Sequence, residues 1–433
     1  MGSMRLARAV AGLGMALQSV SAFAQDAAAA PIDSGDTSWI ITASALVLFM
    51  TLPGLALFYG GLVRSKNFLS ILMQCFAITA LVSIIWFAGG YSLAFAAGTP
   101  WIGDMSMAGL GGLTAARSGY AIPENVFALY QMMFAIITPA LIIGAFPERV
   151  RFGWVMLFTG GWMLLVYIPA AHWVWGGGWL AARGTLDFTG GIVVHTTAGI
   201  SALVVALMIG ARSGFPKTII PPHSPAMTMI GAGMLWVGWF GFNGGSALAA
   251  NAVAGDALLA THLAASAAAL TWALLERVKI GKSTSVGLVT GAVAGLATVT
   301  PSAGYISPMG GIAIGVIAAL VCFAAVLTIK QRFKIDDSLD VFAVHGVGGM
   351  TGSLVLVPFA SLALGGDGLG TGTIADQFGA QALGIGVTVV WSAVLTFVLA
   401  RGAALLVPMR VDDQAERDGL DLTSHGERAY ELD

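Results

Sequence analysis

From residue 39 onward the chain alternates long apolar runs with short polar connections. Eleven runs are long enough to be membrane-spanning helices: 39–63, 69–95, 126–146, 152–175, 191–210, 225–244, 252–275, 284–300, 309–329, 341–364 and 380–407. Ahead of them, residues 1–24 read as a signal peptide, because Arg5 and Arg8 precede a short apolar stretch and Ala22-Phe23-Ala24 offers a small-x-small cleavage site. The alternative is an uncleaved first helix, but its apolar core falls short of the roughly 20 residues a bilayer span needs. Cleavage leaves the mature N-terminus outside.

Positive charge tests this topology independently, since Lys and Arg are retained on the cytoplasmic side. With the N-terminus outside, the inner connections and the tail hold 16 of the 18 basic residues that follow the signal, and only Arg117 and Arg183 fall outside. Eleven spans with the C-terminus inside are therefore expected. Composition agrees: 57% of residues are hydrophobic and 10% charged, far from a soluble domain. A net charge of -2 offers no basic surface for nucleic acid. Cys75 and Cys322 lie inside apolar runs, with no partner at metal-ligand spacing.

Five spans are an odd number, so a second set of five enters the membrane from the opposite side. The expected fold is all-α and integral to the membrane: an inverted repeat of two five-helix halves, 38–211 and 224–365, a bracing eleventh helix at 379–407 and a cytoplasmic tail at 408–433. Local likeness between the halves supports the repeat. DFTGGIVVHTTAG at 187–199 and LDVFAVHGVGG at 339–349 each run from an acid through apolar residues to a histidine and then small residues. Inverted repeats of this kind place a substrate path near the bilayer midplane. Glycines at four-residue spacing, such as Gly287, Gly291 and Gly295, read as helix-packing faces. GKS at 281–283 lacks the first glycine and the strand of a phosphate loop, and neither HExxH nor GxSxG occurs.

His195 and His345 are the informative polar residues, because an ionisable group within a span is costly. Asp187 lies eight residues before His195 on the outer side, and Asp337 eight before His345 on the inner side. Each imidazole then sits about 12 Å deep, reached from opposite faces. Two neutral imidazoles meeting there share a proton and line a polar, uncharged passage; two separate core histidines are the alternative. Aromatic residues gather near the outer ends: Tyr130 and Phe134 one turn apart, Trp175 in HWVWGGG, and Trp239 and Phe242 in GWFGFNGGS. Membrane-belt anchoring is one reading; π faces presented to a cation by Trp175 and Phe134 are the other.

The stretches LFYGGLVRSKN, IPAAHWVWGGG, DFTGGIVVHTTAG, GWFGFNGGS and DVFAVHGVGG and the tail RVDDQAERDGLDLTSHGERAY resemble those of the ammonium transporter family (Amt/Mep/Rh), on its bacterial Amt branch. The resemblance implies a homotrimer with one pore per subunit. It implies an outer ammonium site of Trp175, Phe134, Tyr130 and Ser246, with Phe134 and Phe242 as stacked gate rings and Asp187 as a supporting buried carboxylate. His195, His345 and Trp239 become pore residues. Tyr130 stands where relatives commonly carry phenylalanine. The implied protein is no enzyme and needs no cofactor. It sits in the bacterial inner membrane, captures ammonium, removes its proton and conducts ammonia, with a PII signal protein as partner at the cytoplasmic face. An Rh-like neutral gas channel and an ammonium sensor are the alternatives. The first is expected to lack Trp175 and Ser246; the second needs an appended domain, for which a 26-residue tail is short.

Overall fold

The computed structural model describes residues 31–218 and 221–430; the expected signal peptide lies outside them. Among the described residues there is no β-strand, and ten helices are long and apolar enough to cross a membrane. In chain order these are α1 (Ser34–Leu62), α2 (Ser65–Phe95), α3 (Glu124–Ala145), α4 (Phe152–Val174), α5 (Gly191–Ile209), α6 (Pro225–Gly244), α7 (Ala252–Ile280), α9 (Pro308–Arg332), α10 (Phe342–Ala360) and α11 (Ile374–Leu406). Between α7 and α9 lies α8 (Ser285–Val299), apolar but only 15 residues long.

At 1.5 Å per residue α8 is about 22 Å long, shorter than a hydrocarbon core of about 30 Å. Its second half is buried in protein, from Gly291 to Val299 without a break, so it need not match the lipid. Elsewhere the helix ends follow local chemistry. Asp33 accepts from Asp36 N and starts α1 ahead of the expected residue 39. Left-handed Gly281 ends α7 five residues later than expected.

The four-residue glycine spacings do pack helices. A Cβ on Gly291 or Gly295 would strike Trp272 and Ala268 of α7, and one on Gly311 or Gly315 would strike the Ala260 and Ala264 backbone. Helices α7, α8 and α9 thus lie backbone to backbone, as small residues permit. Helix α11 runs along α4, α5 and α10. Large apolar side chains such as Phe76, Ile84, Leu270 and Val390 are exposed on the bundle's outside, a surface suited to hydrocarbon and not to water.

The tail forms two short helices, α12 (Asp413–Asp418) and α13 (Leu420–His425), docked on the start of α2 and on the connection after α5. The Asp421 carboxylate accepts from Leu69 N and Ser70 N at 3.0 and 2.8 Å, and Asn67 Oδ1 accepts from Leu420 N at 2.8 Å. Glu416 accepts from Ser213 N and pairs with Arg410, both at 2.7 Å. Beneath it, buried Glu148 pairs with Arg64 at 3.1 Å and Arg212 at 3.4 Å, and buried Asp336 with Arg212 at 2.9 Å. Burial opposes the charge on both carboxylates, but the neighbouring guanidinium groups outweigh it and hold each below its ordinary value.

Candidate functional site

Helices α5 and α10 begin in the same way. The Asp187 carboxylate accepts from the backbone amides of Gly190, Gly191, Ile192 and Val193 at 2.6–3.0 Å. Gly190 has φ 121°, a turn that favours glycine and lets the chain fold back over its own acid. On the other helix, Asp337 accepts from Val341 N and Phe342 N at 3.1 and 2.7 Å, with Asp340 at φ 61°. Each acid satisfies helix-start amides that no carbonyl can reach. Each histidine then falls in a π-helical turn, Gly191–Thr196 and Phe342–Gly346, a distortion that is frequent at functional positions.

The two helices cross at their glycines. A Cβ on Gly199 would come within 2.2 Å of Gly346 Cα, and one on Gly349 within 2.6 Å of Gly191 O and 2.7 Å of His195 Cβ. This contact brings His195 Nδ1 to 3.2 Å from His345 Nδ1, with ring centroids 5.1 Å apart. One Nδ1 must carry the proton and the other must accept it. Both rings cannot be imidazolium in this geometry, and when both are neutral they are opposite tautomers. His195 also stacks on Trp239 at 5.7 Å, and the Trp239 indole donates to Thr300 Oγ1 at 3.0 Å. Apart from the imidazoles the chamber is apolar, lined by residues such as Ile137, Leu141, Leu235, Trp239 and Phe242.

Outside this chamber lies a wider cavity lined by Tyr130, Phe134, Trp175, Asp187 and Ser246. Phe134 belongs to its wall and Phe242 to that of the histidine chamber, and the two rings stack at 4.4 Å and 19°, forming the partition. The Trp175 ring stands edge-on to Phe134 at 5.9 Å, and its indole donates to Asp187 O at 2.8 Å. The Tyr130 hydroxyl lies 2.9 Å from Gly241 O, 2.7 Å from Phe242 O and 3.2 Å from Ser246 Oγ. It ties α3 to the π turn Phe240–Gly244 that carries Phe242. On the side of the chamber that carries the tail, His345 also lines a third cavity with Tyr59, Arg212, Lys330 and Asp340. Three cavities thus follow one another, divided by the phenylalanine pair and joined at His345.

The structure brings all nine expected residues to these walls: Tyr130, Phe134, Trp175, Asp187 and Ser246 to the wider cavity and Phe242, Trp239, His195 and His345 to the histidine chamber. It also adds Tyr120, Phe127, Gln131, Phe188 and Tyr305 to the outer cavity. Phe127 and Gln131 share the helical stripe of Phe134, seven and three residues before it, which sequence periodicity could have revealed. Phe188 and Tyr305 meet edge to face at 5.3 Å, a contact between segments 117 residues apart that leaves no local signal. Among the described residues no cluster of His, Cys, Asp or Glu could hold a metal ion.

Residues 38–430 match the model of the Ammonium Transporter Family. The chain belongs to the ammonium transporter family. An ammonium transporter of Bacillus subtilis (strain 168) is 45% identical over 402 residues, covering 92% of this chain and 98% of that protein. One from Aquifex aeolicus (strain VF5) is 44% identical over 428 residues, 98% of this chain and all of that one. The solved structure of Saccharomyces cerevisiae Mep2 superimposes with a TM-score of 0.80 at 36% identity, over 89% of this chain and 90% of that chain. A solved sensor Amt protein superimposes with a TM-score of 0.84 at 29% identity, over 91% and 98%. This member of the ammonium transporter family is therefore a multi-pass helical membrane protein.

Proposed function

We propose that the protein is an ammonium transporter of the bacterial inner membrane. It captures ammonium in the outer aromatic cavity, where the ion gives its proton to water before the Phe134–Phe242 partition, and passes ammonia along the histidine chamber. The observation that carries this reading is the 3.2 Å Nδ1–Nδ1 contact inside an otherwise apolar chamber. A charge at the bilayer centre costs about 3 kcal/mol on insertion scales, and neutral ammonia avoids most of that. The imidazoles offer it one acceptor and one donor without adding charge. At the entrance, the faces of Trp175 and Phe134 stabilise a cation by about 0.5–2 kcal/mol, and the Ser246 hydroxyl supplies an oxygen acceptor. Potassium has no proton to release and stops at the partition.

In this reading all eleven apolar helices cross the membrane, as two inverted halves of five with α11 as brace. The matching starts of α5 and α10 support that symmetry. The mature N-terminus lies outside and the tail inside; three subunits assemble, each with its own pore, and a PII signal protein docks at the cytoplasmic face. The protein performs no chemical conversion. Uptake of ammonium by proteoliposomes holding the purified protein, with potassium excluded, tests the reading; binding without flux would favour a sensor.

A further inference from the structure

Helix α11 packs along the bundle as a brace, yet one of its side chains ties together the segments that set the histidine pair. Gln381 is fully buried. Its amide oxygen accepts from Leu186 N at 2.7 Å, and its amide nitrogen donates to Leu186 O at 2.8 Å and to Ser353 O at 3.0 Å. Gln377, one turn earlier on α11, donates to the same oxygen at 3.2 Å. Both donors and both acceptor sites of the Gln381 amide are thus used, and its two carbonyl partners fix which way the amide faces.

Leu186 lies in irregular chain just before α5, and among the described backbone hydrogen bonds neither its amide nor its carbonyl has a partner. Backbone groups enclosed by protein must be paired, and here Gln381 pairs both groups of one residue. Its neighbours are also held by α11: Thr185 donates to Ala380 O at 3.1 Å, and Gly184 O accepts from Gln377 at 2.8 Å. The residue after Leu186 is Asp187, whose carboxylate caps the start of the His195 helix. The remaining bond of Gln381 goes to α10. There Ser353 follows His345 by eight residues and stands so close to α5 that a Cβ on Gly191 would meet its hydroxyl at 2.8 Å.

Resting on the function proposed above, we propose that Gln381 is a positioning residue for the His195–His345 pair. It pins the Asp187 segment, and with it the start of α5, to α10, so α11 sets the register of the two histidine helices together with the Gly199–Gly346 contact. Without the amide, the Leu186 backbone must find other partners and the Asp187 cap shifts with it. Gln377 offers a matched control. It is equally buried, but its bonds go to Gly184, Thr371 and Gln381 and reach neither Leu186 nor α10.

The test compares wild type, Gln381→Met and Gln377→Met as full-length protein in proteoliposomes. Two quantities are read: the maximal rate of ammonium uptake, and the ring-nitrogen NMR signals of His195 and His345 in protein carrying isotope-labelled histidine, assigned from their loss in His195→Ala and His345→Ala. Methionine keeps the length of glutamine and removes its hydrogen bonds, and thermal unfolding confirms that each variant is folded. The expected result is displaced His195 and His345 signals and an uptake rate lower by about tenfold or more in Gln381→Met, with both at wild-type values in Gln377→Met. A wild-type rate or wild-type histidine signals in Gln381→Met overturn the proposal, and so does an equal change of both in Gln377→Met, which marks a general loosening of α11. Should Gln381→Met not fold, Gln381→Ala, whose cavity admits water to the Leu186 backbone, takes its place under the same criteria. A wild type that takes up no ammonium overturns the transport reading, and the histidine signals alone then decide the role of Gln381.

Discussion

Gly199 sits against Gly346 with no room for a methyl group, and this contact fixes the spacing of His195, one turn before Gly199, and His345, next to Gly346. Both glycines are buried and neither has a positive φ, Gly199 lying in α-helix and Gly346 at the end of the π turn, so space and not backbone strain requires them. Gly199→Ala should force the helices apart, destabilise the protein by about 1–3 kcal/mol and lower ammonium uptake more than tenfold. Thermal unfolding and proteoliposome uptake read the two effects; unaltered uptake would show that the histidine spacing is not critical.

Asp187→Ala should be worse than Asp187→Asn. The carboxylate satisfies four amides through two oxygens, alanine satisfies none, and asparagine retains one oxygen for two of them. At about 1 kcal/mol or more for each amide left unpaired, alanine should cost about 4 kcal/mol and asparagine about half. Equal melting temperatures for the two variants would count against the capping role.

The face that carries the tail should be acid-sensitive. Glu148 and Asp336 are held below their ordinary values of 4.5 and 3.8. The unfolded chain thus binds more protons than the folded one as pH drops towards 4, and stability rises with pH there. The stabilisation is complete above the ordinary values and is lost as pH falls through the lower folded ones. A scan of unfolding temperature from pH 8 to pH 3 should therefore be flat in these groups until about pH 4 and then fall. Glu148→Gln, which strands Arg64 and Arg212, should lower stability at pH 7 by about 3 kcal/mol and blunt that fall. A wild-type loss centred between pH 5 and 7 would contradict the assignment.

Deleting residues 412–433 removes the acceptor of the Leu69 and Ser70 amides and the partner of Ser213 N. If the proposed function holds, transport should fall several-fold in a protein that still inserts in the membrane, and the inhibition by a PII signal protein that this reading proposes should disappear. Full activity with unchanged PII binding would show the tail to be dispensable.

The spans and the histidine pair were legible in the sequence because both rest on periodicity and on the cost of charge in hydrocarbon. Asp187 and Asp337 stood eight residues before their histidines, and that spacing survives in three dimensions. The enclosure of α8 was not legible, since hydropathy cannot tell a helix that faces lipid from one packed against Trp272 and Ala268. The Gly199–Gly346 crossing was equally hidden: glycine is abundant here, and only the fold shows which pair touches. Tyr130 read as an aromatic surface, whereas its hydroxyl proves to bind the carbonyls of the turn that carries Phe242.

The central claim is that the paired imidazoles carry ammonia and exclude the bare cation. Ammonium uptake and membrane current recorded together in proteoliposomes, for wild type, His195→Ala and His345→Ala, test it most directly. The account predicts ammonium flux without potassium current in the wild type. In folded, membrane-inserted variants it predicts either lost flux or a current that potassium also carries. Wild-type ammonium flux with potassium still excluded in both variants would contradict it.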